Sequence, residues 1–160
     1  MAKQNTPFRY DYVGSFLRPE ALKVARSKYE AGTITKEELT SVEDQEIRAL
    51  VEKQKAAGYK VLTDGEFRRA TWHLDFMWGF DGVGHSKTET GLPFHGEAAM
   101  IDDTYLTGKV AVTGEHPFVE HFRFVKALED ENTVADNSCS GTVFRTDDHA
   151  ICNAEYEQIL

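Results

Sequence analysis

The sequence predicts a parallel α/β fold, on three observations. A short apolar run, YDYVGSF, is followed by two helical patterns and then by a second apolar run, YKVLTDGE. A further amphipathic helix leads into a third short apolar run, NTVA. The first two runs both end in small or acidic residues, Gly14-Ser15 and Asp64-Gly65-Glu66. Strands that alternate with helices pair in parallel, and the polar residues at their carboxyl ends fall where such folds collect ligands.

Length and composition bound the rest. The chain has 160 residues, 41% hydrophobic and 28% charged, which is the composition of one soluble globular domain with its own core. A net charge of −9 and no concentrated run of Lys and Arg argue against a phosphate-neutralising surface, so nucleic acid is not an expected partner. The start, MAKQNTPFRYDY, lacks an apolar core of signal-peptide length, and no uncharged apolar stretch approaches the roughly 20 residues needed to span a bilayer. The expected location is cytoplasmic, with no membrane partner. Two cysteines, Cys139 and Cys152, are too few for a disulfide scaffold.

Taken in order, YDYVGSF is a strand interrupted by Gly14 and Ser15, where backbone can approach a ligand. RPEALKVARSKYEAG is a helix, with Pro19 suited to its first turn and Gly32 to its C-terminal cap. A longer helix begins at Thr35, three residues ahead of Glu38 in the spacing of a capping box, and ends at Gly58. Leu39, Val42, Ile47, Leu50 and Val51 form its apolar stripe. After the strand YKVLTDGE comes an aromatic segment, Phe67 to Trp78, and then an irregular excursion rich in glycine, Gly79 to Gly96, expected to be a loop or hairpin over a site. TYLTGKVAVTG is strand-like, HPFVEHFRFVKALEDE is a helix opened by Pro117, and NTVA begins another buried strand.

Taken alone, Glu66 is suited to holding a ligand ammonium, to acting as a base, or to pairing with Arg68 or Arg69, and spacing favours the ion pair. Ser15 has no activating base beside it and reads as a turn or cap hydroxyl rather than a nucleophile. Trp72, Phe76, Trp78 and Phe80 suit either a stacking wall for a flat heterocycle or plain core packing, and packing is favoured. His73 and Asp75 stand in a His-x-Asp spacing of low specificity. His116 and His121 are off the i, i+4 spacing of paired helical ligands and read as structural or exposed.

YVGSFLRPEALKVAR and QKAAGYKVLTDGEFRRATWHLDFMWGFDGV together resemble the N-terminal part of bacterial proteins related to the catalytic domain of cobalamin-independent methionine synthase. The likeness runs from about residue 7 to about residue 135. It implies a partial (β/α)8 TIM barrel of the type shared with uroporphyrinogen decarboxylase, truncated after the first few strands, with residues 1–135 as the barrel portion. It also implies methyl transfer from 5-methyltetrahydrofolate to the thiol of homocysteine activated by Zn2+. The family's Ile-Gly-Ser stretch, which holds the amino-acid end of homocysteine, matches Val13, Gly14 and Ser15; its His-Gly-Glu, whose glutamate also binds homocysteine, matches Asp64, Gly65 and Glu66. Asp64 departs from the histidine of the full-length synthase but not from the shorter relatives, and it leaves the glutamate in place. Asp64, Arg69, His73, Asp75 and Trp78 are further pocket candidates. An ammonium fits Glu66, and a carboxylate fits Ser15 and nearby backbone N–H groups.

The family's zinc ligands, His, Cys, Glu and Cys, come from later barrel strands and match nothing here, so no metal ligand and no catalytic residue is expected within this chain. From Asp136 the resemblance stops. Back-translated and read one base later, this stretch allows Thr-Thr-Pro-Ala-Pro-Ala-Gln-Phe, close to the family's continuation, and residues 136–160 are therefore expected to be a frameshifted tail. On that reading the Cys-x9-His-x2-Cys spacing of Cys139, His149 and Cys152 carries no selected zinc site. Two alternatives stay open: a related methyltransferase acting on another thiol, and an inactive barrel fragment that self-associates through an open edge.

Overall fold

The computed structural model describes residues 15–71, 74–87, 92–94, 97–99, 102–135, 138–139 and 142–143. They fall into two compact units, residues 1–69 with 121–145, and residues 70–120 with 146–160. Residues 10–14, most of the expected first strand, lie outside the described set.

The first unit opens with α1, Glu20–Glu30, whose N-cap is Pro19 at φ −58°, one position earlier than the first-turn place expected for it. The helix closes where the Gly32 N–H donates to the Tyr29 carbonyl at 2.9 Å and the Thr33 N–H to the Lys28 carbonyl at 2.9 Å. That pairing requires a left-handed residue, and Gly32 supplies it at φ 68°. Helix α2, Lys36–Ala56, starts with the expected capping box: the Glu38 N–H donates to Thr35 Oγ1 at 3.2 Å, and the Thr35 N–H to Glu38 Oε2 at 2.8 Å. Gly58 ends it by the same device as Gly32.

The core of this unit is Leu22 from α1, Ile47, Leu50 and Val51 from α2, Leu62, Phe67 and Val125, with Phe16, Phe124, Leu128 and Ala135 packed against it. Strand β1, Val61–Leu62, lies parallel to a strand far along the chain, Val134–Ala135, with Val61 opposite Val134 and Leu62 opposite Ala135. YKVLTDGE, one of the two runs whose order predicted a parallel arrangement, is therefore paired in parallel with NTVA, which was expected only to begin another buried strand.

Where β1 ends, the side chain of Gln54 continues its hydrogen bonding. Its Nε2 donates to the Thr63 carbonyl at 2.8 Å and its Oε1 accepts the Thr63 N–H at 3.0 Å. Gln54 and Thr63 are both buried.

The second unit contains α3, Leu74–Met77, and an antiparallel hairpin of β2, Asp81–Lys87, with β5, Asp102–Ala111. Between these arms, β3, Leu92–Phe94, pairs with β4, Glu97–Ala99. The excursion after Gly79 is thus a hairpin, and TYLTGKVAVTG lies in its returning arm. The glycines that suggested irregularity allow the strands to close. A Cβ at Gly84 would lie 2.6 Å from Tyr105 Cζ, and one at Gly82, φ 75°, would lie 2.4 Å from the Lys109 carbonyl oxygen, where the register shifts.

Pro117 opens α4, Pro117–Lys126, as its proline suggested. His116, just ahead of it, is buried among Phe76, Phe80 and Phe118. Its Nδ1 accepts the Phe118 N–H at 3.2 Å, which leaves the proton on Nε2 to donate to the Phe76 carbonyl at 2.9 Å. This is a structural histidine, one of the two roles expected for it. Beyond α4, β6 is the Val134–Ala135 strand, and β7, Ser138–Cys139, pairs with β8, Thr142–Val143.

Replacing Gln54 by Leu keeps the shape of the α2 face but leaves the Thr63 N–H and carbonyl without their partner. The expected cost is about 2–4 kcal/mol, from the desolvation penalty of two buried polar groups. Urea unfolding midpoints of the two proteins measure it, and a loss well under 1 kcal/mol contradicts this role for Gln54.

Candidate functional site

The carboxyl end of β1 runs into Thr63-Asp64-Gly65-Glu66-Phe67-Arg68-Arg69, and all of these except Arg68 are buried as whole residues. Polar atoms of the turn are matched locally. Asp64 Oδ1 accepts the Glu66 N–H at 2.8 Å, an Asx turn, and Thr63 Oγ1 accepts the Gly65 N–H at 3.2 Å. The Phe67 N–H then donates to the Asp64 carbonyl at 3.3 Å and the Arg69 N–H to the Glu66 carbonyl at 3.1 Å. Two successive residues, Gly65 at φ 64° and Glu66 at φ 58°, take the left-handed conformation. For Gly65 this is free of steric cost. For Glu66 it costs on the order of 1 kcal/mol or more.

Gly65 is also constrained by space, since a Cβ there would lie 2.6 Å from Leu50 Cδ2 and 3.2 Å from Phe16 Cβ. The Phe16 N–H donates to the Gly65 carbonyl at 3.2 Å. This bond brings the residue after Ser15 onto the turn that carries Glu66. The two segments singled out in the sequence therefore meet, and Ser15 is exposed beside them.

Four arginines surround the turn. Arg18 Nη2 donates to the Arg69 carbonyl at 2.9 Å and more weakly to the Glu66 carbonyl at 3.4 Å. Arg26, on α1, donates through Nη1 to the Arg69 carbonyl at 2.8 Å and through Nη2 to the Phe67 carbonyl at 2.6 Å. Arg69 Nη1 lies 3.6 Å from Glu66 Oε1, the ion pair that spacing favoured. Arg68 reaches Glu43 Oε2 at 3.4 Å and is hydrogen-bonded to Asp44, with Phe124 beneath its guanidinium at 4.9 Å. Hydrogen bonds to a charged donor are worth about 1.5–3 kcal/mol each, enough to hold Glu66 in its left-handed position.

Asp64, Glu66 and Arg69 thus stand in one turn, but Asp64 is occupied in shaping it. Asp75 and Trp78 belong to the second unit. There Asp75 Oδ2 accepts the Thr71 N–H at 2.6 Å and the Thr71 hydroxyl at 2.8 Å, which gives it a local structural task. Trp78 Nε1 donates to Thr104 Oγ1 at 3.1 Å, and its ring stacks on His85 at 3.9 Å; His85 Nε2 lies 2.9 Å from Asp102 Oδ2. Val13, Gly14, Trp72, His73, His149 and Cys152 lie outside the described residues, as does the side chain of Cys139. Sequence reasoning missed Arg18, Arg26, Glu43 and Gln54. Glu43 and Gln54 stand four before Ile47 and four after Leu50 along the apolar stripe of α2, and that continuation was the available signal.

Zinc finds no donor set among the described residues, where no three His, Cys, Asp or Glu side chains come together to hold a metal ion. Also among the described residues, no helix is long and apolar enough to cross a membrane.

An α/β unit whose parallel strand ends in a buried acidic turn, met by a preceding Ser-Phe segment, defines the class. The family model for the cobalamin-independent synthase catalytic domain matches residues 10–89, half of the chain, and the chain belongs to this family. It is 42% identical over 131 residues to YxjH of Bacillus subtilis (strain 168), an uncharacterized protein, covering 82% of this chain and 34% of that one. A 79-residue stretch is 39% identical to a 5-methyltetrahydropteroyltriglutamate–homocysteine methyltransferase of Thermotoga maritima, covering 49% of this chain and 10% of the relative. Among solved structures, a Listeria monocytogenes protein provisionally described as a vitamin-B12-independent methionine synthase superposes with a TM-score of 0.64 at 42% identity, covering 82% of this chain and 36% of that one. The chain spans about a third of the length of its Bacillus relatives.

Two outcomes follow from this geometry. Gly65→Ala forces a methyl group into Leu50 at a left-handed φ, so a loss of about 2–4 kcal/mol is expected in chemical denaturation; wild-type stability contradicts the fit. Burial raises the carboxyl of Glu43 above its ordinary 4.5, an effect that Lys36, Arg68 and Arg26 oppose only in part. The folded chain therefore holds this proton more tightly than the unfolded chain. The stability it confers is complete below the unfolded value and is lost as pH rises through the folded one. Urea midpoints measured from about pH 4 to about pH 7 should shift in favour of Glu43→Gln relative to wild type, and a difference that stays flat or runs the other way contradicts the assignment.

Proposed function

We propose that this chain carries the homocysteine-recognition element of a methyltransferase of the cobalamin-independent methionine synthase type, on the N-terminal part of a (β/α)8 barrel. One observation supports the reading above the others: the hydrogen bond from Phe16 to Gly65 places the segment holding Ser15 against a buried, left-handed Glu66. In this proposal the Glu66 carboxylate receives the substrate ammonium, with Arg69 Nη1 3.6 Å from its Oε1. Ser15 and the backbone beside it, with Val13 and Gly14, receive the substrate carboxylate. The left-handed Gly65 allows close approach of the main chain. Asp64 shapes the turn, and His73, Asp75 and Trp78 stay as pocket candidates of lower rank. Methylated folate is the proposed methyl donor, and a cytoplasmic location fits such substrates.

Zinc, when bound in this family, keeps the substrate thiol ionised as the nucleophile. The donor set among the described residues does not fit it, so the proposal for this chain is confined to binding the amino-acid end of the substrate. The same observation favours a second reading, in which the chain binds homocysteine without turning it over.

Titration calorimetry with L-homocysteine under reducing conditions tests the assignment. Glu66→Gln should bind at least tenfold more weakly, about 1.4 kcal/mol, with its unfolding midpoint little changed. Equal affinity in the two proteins removes Glu66 from the proposal. Methionine formation by the isolated chain with zinc and methylated folate would overturn the second reading.

A further inference from the structure

We infer that Arg18 and Arg26 are positioning residues that set the aim of Glu66, an inference resting on the proposed role of that carboxylate. Their guanidinium groups bind the main chain of the turn: Arg26 bridges the Phe67 and Arg69 carbonyls at 2.6 and 2.8 Å, and Arg18 bridges the Arg69 and Glu66 carbonyls at 2.9 and 3.4 Å. Together they hold three carbonyl groups of four consecutive residues. The first of these residues is Glu66, the non-glycine residue at φ 58°.

This arrangement has a directional consequence. A side chain on a left-handed residue leaves the backbone on a different bearing from one on an extended or helical residue, so the φ of Glu66 decides where its carboxylate lies. Nothing intrinsic to glutamate favours that φ. It persists because the flanking groups are fixed: Asp64 holds the Glu66 N–H from one side, and the two arginines hold the carbonyls from the other. Arg26 is itself set by α1, where Leu22, four residues earlier, and Ala25 are buried. Arg18 is set by the segment just before that helix, two residues after Phe16, which is bonded to Gly65. The Ser15 segment and α1 thereby both act on the bearing of Glu66, and the two halves of the proposed amino-acid site are coupled through main-chain carbonyls.

A merely structural pair of arginines would alter stability and leave the recognition of an amine unchanged. Two readouts separate the cases. The first is the set of 13C chemical shifts of Glu66 in the labelled chain, which report its left-handed φ. The second is the ratio of affinities for L-homocysteine and for its desamino analogue, 4-sulfanylbutanoate. In Arg26→Gln and Arg18→Gln the Glu66 shifts should move toward right-handed or extended values. The preference for the amine-bearing ligand should fall at least fivefold, while affinity for the desamino analogue stays within about twofold, since that ligand makes no use of Glu66. Arg26→Lys, which cannot bridge two carbonyls in fork geometry, should recover only part of the preference.

Wild-type Glu66 shifts together with a wild-type affinity ratio in both glutamine variants would overturn the inference. If the wild-type chain itself fails to distinguish the two ligands, the ammonium reading falls, and the Glu66 shifts then decide the clamp alone: unchanged shifts refute it and altered shifts support it. Should Arg26→Gln fail to fold, Arg18→Gln carries the same test with both Arg26 bonds left in place.

Discussion

Two successive left-handed residues at the end of a buried strand are the constraint around which the first unit is organised. A chain that turns this way cannot continue its strand, so backbone groups between Thr63 and Arg69 lack ladder partners in a largely buried place. Side chains take up many of them: Gln54 for Thr63, Thr63 for Gly65, Asp64 for Glu66, and Arg18 and Arg26 for the carbonyls of Glu66, Phe67 and Arg69. The apolar core lies beneath this polar layer, with Leu50 and Phe16 touching the place where Gly65 has no side chain. Packing and hydrogen bonding both require glycine at that position.

The electrostatics follow from the same crowding. Arg18, Arg26, Arg68 and Arg69 stand with Glu43, Asp44, Asp64 and Glu66, and of these Glu43, Asp64, Glu66 and Arg69 are buried. Arg68 takes Glu43 and Asp44, while Arg18 and Arg26 are used on carbonyls. Glu66 pairs with Arg69 at 3.6 Å, longer than a close charge-assisted hydrogen bond. Glu43 is a buried acid whose carboxyl is raised by desolvation even with Arg68 in contact.

How far the sequence revealed this depended on whether a signal was local. The capping box at Thr35 and Glu38, the glycines that end α1 and α2, and Pro117 at the head of α4 are decided within a few residues, and each was legible. A parallel arrangement was legible from strands separated by helices, although the pairing of YKVLTDGE with NTVA and its register were not. The hairpin of β2 and β5 was harder, since its glycines serve close strand approach at Tyr105 and Lys109 and look in isolation like breakers. At the candidate site, Glu66 and Ser15 were given their substrate roles by resemblance, whereas spacing alone favoured capping or an ion pair to Arg68 or Arg69, and the pair to Arg69 is present. Arg18 and Arg26 left no local sign. An arginine that binds carbonyls more than 40 residues away looks like any solvated arginine on a helix.

The placement of these groups separates two tasks that a thiol methyltransferase must combine. Holding the amino-acid end of a substrate needs a fixed carboxylate, main-chain donors and room for close approach, and residues 15–69 supply a turn of that kind from α1, α2 and β1. Activating sulfur needs several soft donors converging on one point, and the described residues contain no such convergence. The first task depends on backbone angles within one turn, so it can be built by nearby segments with α1 acting through Arg26. The second depends on side chains brought from distant strands. On this argument recognition of the amino-acid end and activation of the thiol are separable, and the role proposed for this chain's own residues concerns the first.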